Sequence, residues 1–245
     1  MTSIDTDNGF QPALIVVDMQ EDFCPPNPLG VQGGRDLVPL INEIIQYPGF
    51  VVRVATQDFH PATHISFASN HPAPNNNPFE SHIQMTNPAV VGSDPTATIA
   101  QRLWPAHCVQ NTPGAEILPA IRMDKIDAVV KKGMDERVEM YSAFADAFGN
   151  RDCKATGGAS ADLEAILREK GVTDVFVVGL AGDYCVKHTA IDAAERGFKT
   201  FVIEEGVKCV DAVSGWQEAK VELAARGVKV VGLDGLEVGR VKVGI

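Results

Sequence analysis

Six short runs of almost uninterrupted apolar residues, most of them separated by amphipathic helical patterns, restrict this chain to few folds. They are Ala13 to Val17, Phe50 to Thr56, Ala128 to Val130, Val175 to Gly179, Thr200 to Ile203 and Val228 to Val231. A strand with one wet face alternates apolar and polar residues, whereas a strand apolar throughout has to be covered on both faces. Parallel sheets with crossover helices meet that demand. Helical spacing falls at Asp36 to Gln46, Ser160 to Lys170, Cys185 to Arg196 and Gly215 to Arg226. Three of these patterns stop at a glycine placed to cap a helix C-terminus, namely Gly171, Gly197 and Gly227. The reading is an α/β fold, a doubly wound, mostly parallel six-stranded sheet with helices on both faces in a Rossmann-like three-layer arrangement. At 245 residues with 45% hydrophobic content, residues 1–245 read as a single domain with a full core.

Charge and cysteine usage narrow the partners. A formal net charge of −11 argues against nucleic acid, whose phosphates require clustered Lys and Arg, and favours a neutral small-molecule substrate. No apolar stretch is long enough to span a bilayer, and the acidic start MTSIDTDNGF has no signal-peptide pattern. No membrane partner is expected. Five scattered cysteines do not read as a disulfide framework, so a cytoplasmic protein with reduced thiols is expected. A homo-oligomer is compatible with the sequence and not dictated by it.

Three of the expected strands end in reactive side chains. Leu14-Ile15-Val16-Val17 stops at Asp18, Ala128-Val129-Val130 runs into Lys131-Lys132-Gly133, and Val175 to Gly179 leads through Leu180 to Tyr184 into Cys185. In an open parallel sheet, ligands bind beyond the carboxyl ends of the strands, so an acid, an amine and a thiol can share one crevice. A thiol at a helix N-terminus also meets the positive end of the helix dipole, which lowers its pKa, although burial as a small apolar group is the commoner fate of a single Cys. Of the two lysines, strand alternation lets one face the crevice, and Lys131 is the natural solvated partner of Lys132.

The stretch from Gln57 to about Ala120, crowded with Pro, Asn, His and Gly, reads as a long functional loop walling the site. It holds Asp58 and His60, two residues apart, and His107; an Asp oxygen and His nitrogens suit zinc or a similar ion, but Asp-x-His alone is as well explained by an ordinary surface pair. His64, His71, His82 and His188 read as ordinary histidines, and Cys108 as packing. The tail Gly232 to Ile245 reads as a final edge strand or a loosely attached end.

Together these segments resemble the nicotinamidases of the isochorismatase-like cysteine hydrolase superfamily. The matching pieces are LIVVDMQEDFCP at Leu14 to Pro25, TQDFHPATHISFASNH at Thr56 to His71, WPAHCVQ at Trp104 to Gln110, KKG followed by YSAF at Lys131 to Phe144, and VVGLAGDYCV at Val177 to Val186. The resemblance implies an isochorismatase-like fold and a catalytic triad of Asp18, Lys132 and Cys185. It also implies one divalent metal ion, expected to be zinc, on Asp58, His60 and His107, with waters completing the shell. It implies a cis peptide at Leu180-Ala181 and an oxyanion hole from the backbone N–H groups of Ala181 and Cys185. Phe23, Trp104 and Tyr184 are implied as walls around a flat pyridine ring. Gly182 stands where relatives commonly carry a larger residue, which is expected to loosen the loop.

The activity implied is hydrolysis of nicotinamide to nicotinate and ammonia through a Cys185 thioester, in NAD salvage, with pyrazinamide-like analogues as further substrates. Asp18 would act first as base and then as acid, with Lys132 holding the thiolate and the ionised carboxylate. Water would then hydrolyse the thioester, the metal shell being one source of it. The alternatives are a related hydrolase acting on another small amide or in an isochorismatase-type reaction, a non-catalytic pyridine-metabolite binding protein, and a redox-sensing thiol or structural zinc protein.

Overall fold

β1 (Pro12–Val17) has every side chain buried, and so does β6 (Asp174–Leu180), its parallel neighbour over six residue pairs from Pro12↔Asp174 to Val17↔Gly179. In this computed structural model, which describes residues 9–90, 92–94 and 96–244, these two strands form the centre of a six-stranded sheet. In chain order the elements are β1, α1 (Val38–Ile45), β2 (Val52–Asp58), β3 (His82–Thr86), β4 (Thr98–Arg102) and β5 (Ala128–Lys132). They continue with α2 (Cys153–Thr156), α3 (Leu163–Glu169), β6, α4 (Cys185–Glu195), β7 (Lys199–Lys208), α5 (Gly215–Ala225), β8 (Lys229–Val231) and α6 (Leu236–Val243). The strand order is β5-β2-β1-β6-β7-β8, every neighbouring pair parallel. The chain winds from β1 outward through β2 to β5, then returns to β6 and winds the other way.

The two faces bury separate apolar layers. Leu14, Val16, Phe176, Val178 and Leu180 point to one face with Ile41, Ile44 and Ile45 of α1 and Val238 and Val241 of α6. Ile15, Val17, Val175 and Val177 point to the other with Leu163 and Leu167 of α3, Val186, Ala190 and Ile191 of α4, and Leu223 of α5. Each such side chain contributes about 1.5–3 kcal/mol of burial, which is why uniformly apolar strands settle between two helical layers. The expected caps are in place, with Gly171, Gly197 and Gly227 at φ of +67°, +82° and +78°.

Two expectations are corrected. The tail is neither a strand nor loose: Leu236–Val243 is a helix whose Val238 and Val241 are buried, and Gly49 N–H donates to the Val241 carbonyl at 3.0 Å. The alternation of Val with charged residues misleads, because Val238 and Val241 are also three apart, on one side of a helix. Ile245 lies outside the described residues, as do residues 1–8 of the acidic start. The stretch 57–120 contains an antiparallel pair, β3 with β4 from His82↔Arg102 to Thr86↔Thr98, and anchors itself through buried Phe67, Met85, Leu103 and Trp104. Among the described residues, no helix is long and apolar enough to cross a membrane.

Candidate active site

The winding reverses between β1 and β6, and there the sheet opens a crevice at its carboxyl edge, the position where open α/β sheets bind ligands. Asp18 follows β1, Cys185 starts the helix after β6, and Lys132 ends β5. All three are buried, Asp18 and Lys132 at 0% exposure. Lys131 turns outward, its ammonium 3.9 Å from the centre of the Phe59 ring, while Lys132 turns inward. Lys132 Nζ lies 2.9 Å from Asp18 Oδ2 and 3.5 Å from Cys185 Sγ, and donates to the Met140 carbonyl at 3.2 Å and to Asp58 Oδ1. A buried ammonium is costly alone, but these two carboxylates outweigh burial and hold Lys132 charged, its pKa well above the ordinary lysine range.

The cysteine differs from the expectation of a lowered pKa. Burial pushes the Cys185 thiol well up; Lys132 opposes this, but Asp18 and Asp58 both add to it. Two nearby carboxylates and burial outweigh one ammonium, so the resting group is a thiol that needs a base. Asp18 is disposed as one: burial raises its pKa to about 6 despite Lys132. Its Oδ1 accepts from Thr56 Oγ1 at 2.5 Å, while Oδ2 faces the Lys132 ammonium at 2.9 Å and is the oxygen left to take the thiol proton. One ligand atom each of Asp18, Asp58 and Cys185 fall within 4.8 Å of one another.

Asp58, His60 and His107 also converge, one ligand atom from each within 4.8 Å of the others and all three residues buried. His60 continues the line of β2 by bridging to Val109, which carries His107 alongside. His60 Nδ1 bonds to the Gly133 carbonyl and His107 Nδ1 to the Pro105 carbonyl, both at 2.8 Å. Those carbonyls fix the protonated nitrogen and leave Nε2 as the lone pair, the arrangement common behind metal-bound histidines. Among the described residues His60 Nε2 is fully buried with no hydrogen-bond partner, the nearest acid being Asp58 Oδ2 at 3.5 Å. A carboxylate and two imidazoles, one of them with an orphaned ring nitrogen, fit a divalent cation such as zinc. Gly133 has φ +66°, and a Cβ there would stand 2.3 Å from His60 Cε1, so the Lys-Lys-Gly sequence serves both sites at once. Cys108 is buried in the core, as packing.

Above these groups is a narrow cavity lined by Phe23, Trp104 and Tyr184, together with Asp58, His107, Ala181 and Cys185. Trp104 and Tyr184 meet edge to face at 5.0 Å, and Phe23 leans on His107 at 5.5 Å. The Leu180-Ala181 peptide is cis, and among the described residues no turn or loop carbonyl accepts from the N–H groups of Ala181 and Cys185. Four residues escaped the sequence reading. Tyr141, within the YSAF motif, lines the cavity and accepts from Trp104 Nε1 at 3.1 Å. Glu139 lines it too, at 3% exposure. Gln20 clamps Asp58 by both backbone atoms at 2.8 Å, a role visible only once β1 and β2 are paired. His64, read as an ordinary loop histidine, is fully buried with its ring 4.1 Å from that of His60.

A family model described as the isochorismatase domain matches residues 12–234. The chain belongs to the isochorismatase family. This isochorismatase-family protein is 37% identical to the nicotinamidase of Acinetobacter baylyi, over 89% of this chain and 90% of that one. It superposes on the yeast nicotinamidase bound to the inhibitor nicotinaldehyde with a TM-score of 0.80 at 34% identity, covering 91% of this chain and 100% of that one. A pyrazinamidase of Pyrococcus horikoshii in complex with zinc matches at a TM-score of 0.66 and 33% identity, covering 91% and 99% of the two chains. With such relatives over most of its length, the isochorismatase-family chain is an amidohydrolase.

Proposed function

We propose that this amidohydrolase is a metal-dependent nicotinamidase, hydrolysing nicotinamide to nicotinate and ammonia through a thioester on Cys185. The observation that carries the reading is the Lys132 ammonium 2.9 Å from Asp18 and 3.5 Å from Cys185, beside a cavity walled by aromatic side chains. Asp18 takes the thiol proton, Sγ adds to the carboxamide carbon, and the same proton leaves on the departing nitrogen, since an amide nitrogen is a poor leaving group until protonated. Lys132 balances the thiolate. The N–H groups of Ala181 and Cys185 receive the developing oxyanion, each worth about 3 kcal/mol at the transition state. Water then hydrolyses the thioester.

Asp58, His60 and His107 would hold the metal, zinc by their donor chemistry and by analogy with the Pyrococcus relative. Bound there, it supplies a Lewis-acid anchor for a pyridine nitrogen. Phe23, Trp104 and Tyr184 confine the ring by face and edge contacts, with Tyr141 holding the Trp104 indole in place. The pyrazinamidase relative extends the substrate class to pyrazinamide-like carboxamides. All five cysteines are unpaired, which suits a cytoplasmic enzyme supplying nicotinate for NAD salvage.

Ammonia release from nicotinamide tests the reading with wild type, Cys185→Ala and chelator-treated protein. Wild type should turn over, the alanine variant should fall to background, and chelation should weaken substrate binding. Full turnover by Cys185→Ala would end the covalent mechanism, and normal binding without metal would end the assignment of Asp58, His60 and His107.

A further inference from the structure

β2 outruns its neighbour at the end that carries the site. The last pair between β1 and β2 is Val16↔Ala55, so Thr56, Gln57 and Asp58 pass the point where the pairing stops. Asp58 therefore has no strand on that side to bond its peptide groups. Gln20 takes that place. Its Oε1 accepts the Asp58 N–H and its Nε2 donates to the Asp58 carbonyl, both at 2.8 Å, so one side-chain amide does what a neighbouring peptide would do. The same Nε2 donates to the Ala115 carbonyl at 2.8 Å, and Gln20 is at 0% exposure. Two residues on, Asp22 Oδ2 accepts the Cys108 N–H at 2.7 Å, while the Cys108 carbonyl accepts the His60 N–H at 3.0 Å. Cys108 directly follows His107 and has φ +46°, a left-handed conformation that residues with a Cβ rarely adopt. Gly114 leaves room for the acid that holds it: a Cβ there would stand 2.1 Å from Asp22 Oδ2.

We propose that Gln20 and Asp22 are positioning residues for the divalent cation, holding Asp58 and His107 in place before it binds. The inference rests on the metal site proposed above for Asp58, His60 and His107. Gln20 fixes both peptide planes that flank the Asp58 Cα, and so the direction in which its carboxylate leaves the strand. Asp22 fixes the peptide that joins His107 to Cys108. The loop carrying His107 is thereby kept against the end of β2, where His60 bridges to Val109. Ligands already held at their binding positions lose little freedom when the ion arrives, so it binds more tightly than to the same three side chains on loose backbone. Asp22 belongs to none of the carboxylate and imidazole clusters among the described residues. Each of the two acts through backbone at or beside a candidate ligand.

The test is zinc affinity, measured on the purified full chain by competition with a chromophoric chelator. Asp22→Ala should bind zinc about 10–100-fold more weakly than wild type, the usual loss when a group that orients a metal ligand is removed. Asp22→Asn keeps an oxygen for the Cys108 N–H and should return close to wild-type affinity. Gln20→Met, of similar length but with no donor for a carbonyl, should also lose about 10–100-fold. Should it fail to fold, the Asp22 pair decides. Cobalt in place of zinc has a visible spectrum set by the arrangement of its ligands, and that spectrum should change in Asp22→Ala and not in Asp22→Asn. Residues that merely supported the fold would shift the urea midpoint and leave the zinc affinity and cobalt spectrum of the folded protein as they are, and that result would overturn the inference. Equal losses in Asp22→Ala and Asp22→Asn would overturn it too. A wild type that binds no zinc would instead refute the metal assignment, which keeps the two failures apart.

Discussion

Gly182 sits in the nucleophile loop with its N–H donated to the Lys208 carbonyl at 2.8 Å, and neighbouring Asp183 accepts from the N–H groups of Val210 and Asp211 at 3.0 and 2.9 Å. A Cβ at Gly182 would stand 2.7 Å from Cys209 Sγ, 2.8 Å from Val207 Cγ1 and 3.1 Å from Trp216 Cε3. The missing side chain therefore does not loosen the loop; neighbours from β7 and α5 fill the space that a larger residue would take. Gly182→Thr should lower stability by about 1–3 kcal/mol through overpacking. Adding Cys209→Ala should recover part of that loss, giving a coupling of about 0.5–3 kcal/mol between the two positions. Denaturant midpoints of the four proteins in this cycle measure it, and strictly additive effects would refute the contact. Sequence reasoning foresaw a departure at Gly182 but assigned it the wrong consequence, because the atoms that decide it come from positions 207, 209 and 216.

α4 carries Cys185 at its first residue and His188 one turn later. His188 stacks on Tyr141, with ring centres 5.3 Å apart and planes 22° from parallel. Burial, followed by the Lys187 charge, pulls His188 from its ordinary 6.5 down to about 4, with Glu222 opposing. The unfolded chain therefore binds a proton that the folded helix refuses between about pH 6.5 and 4. Stability is fully retained above the unfolded value and falls as the pH drops through that window, by at most about 1.4 kcal/mol per unit. His188→Gln removes the titrating group and should flatten this part of the stability–pH curve, as followed by urea unfolding. An unchanged slope would show that the folded site accepts the proton. The helix itself was legible from its spacing and its Gly197 cap. Its packing onto Tyr141 was not, since the two rings are separated by more than forty residues of chain.

For the molecule as a whole, the candidate metal cluster joins β2 to the 104–110 segment and touches β5 through Gly133, so a bound ion links three parts of the fold. A cation that binds only the folded state stabilises it by mass action, about 2.7 kcal/mol at one hundred times its dissociation constant. Chelated protein should unfold at a lower temperature, zinc should restore the transition, and Asp58→Asn should blunt the response. A transition indifferent to zinc in wild type would argue against a site there. The same convergence explains why Asp58, Lys132 and His60 cannot be altered singly without cost: each neutralises or orients the next, and loss of Lys132 would leave two carboxylates buried without their counter-ion.

The sequence by itself determined the sheet and its helical layers, because burial on both faces demands unbroken apolar strands and that demand is written locally. It also determined which side chains end the strands, since a parallel sheet delivers Asp18, Lys132 and Cys185 to one edge. Tertiary structure alone decided the charge balance that keeps Cys185 a thiol, the buried pairing of His60 with His64, the filled space at Gly182 and the placement of Glu139 at the cavity wall. Those outcomes depend on distances of a few ångströms between segments far apart in the chain, where Coulomb energy, packing and desolvation change steeply and no local periodicity records them.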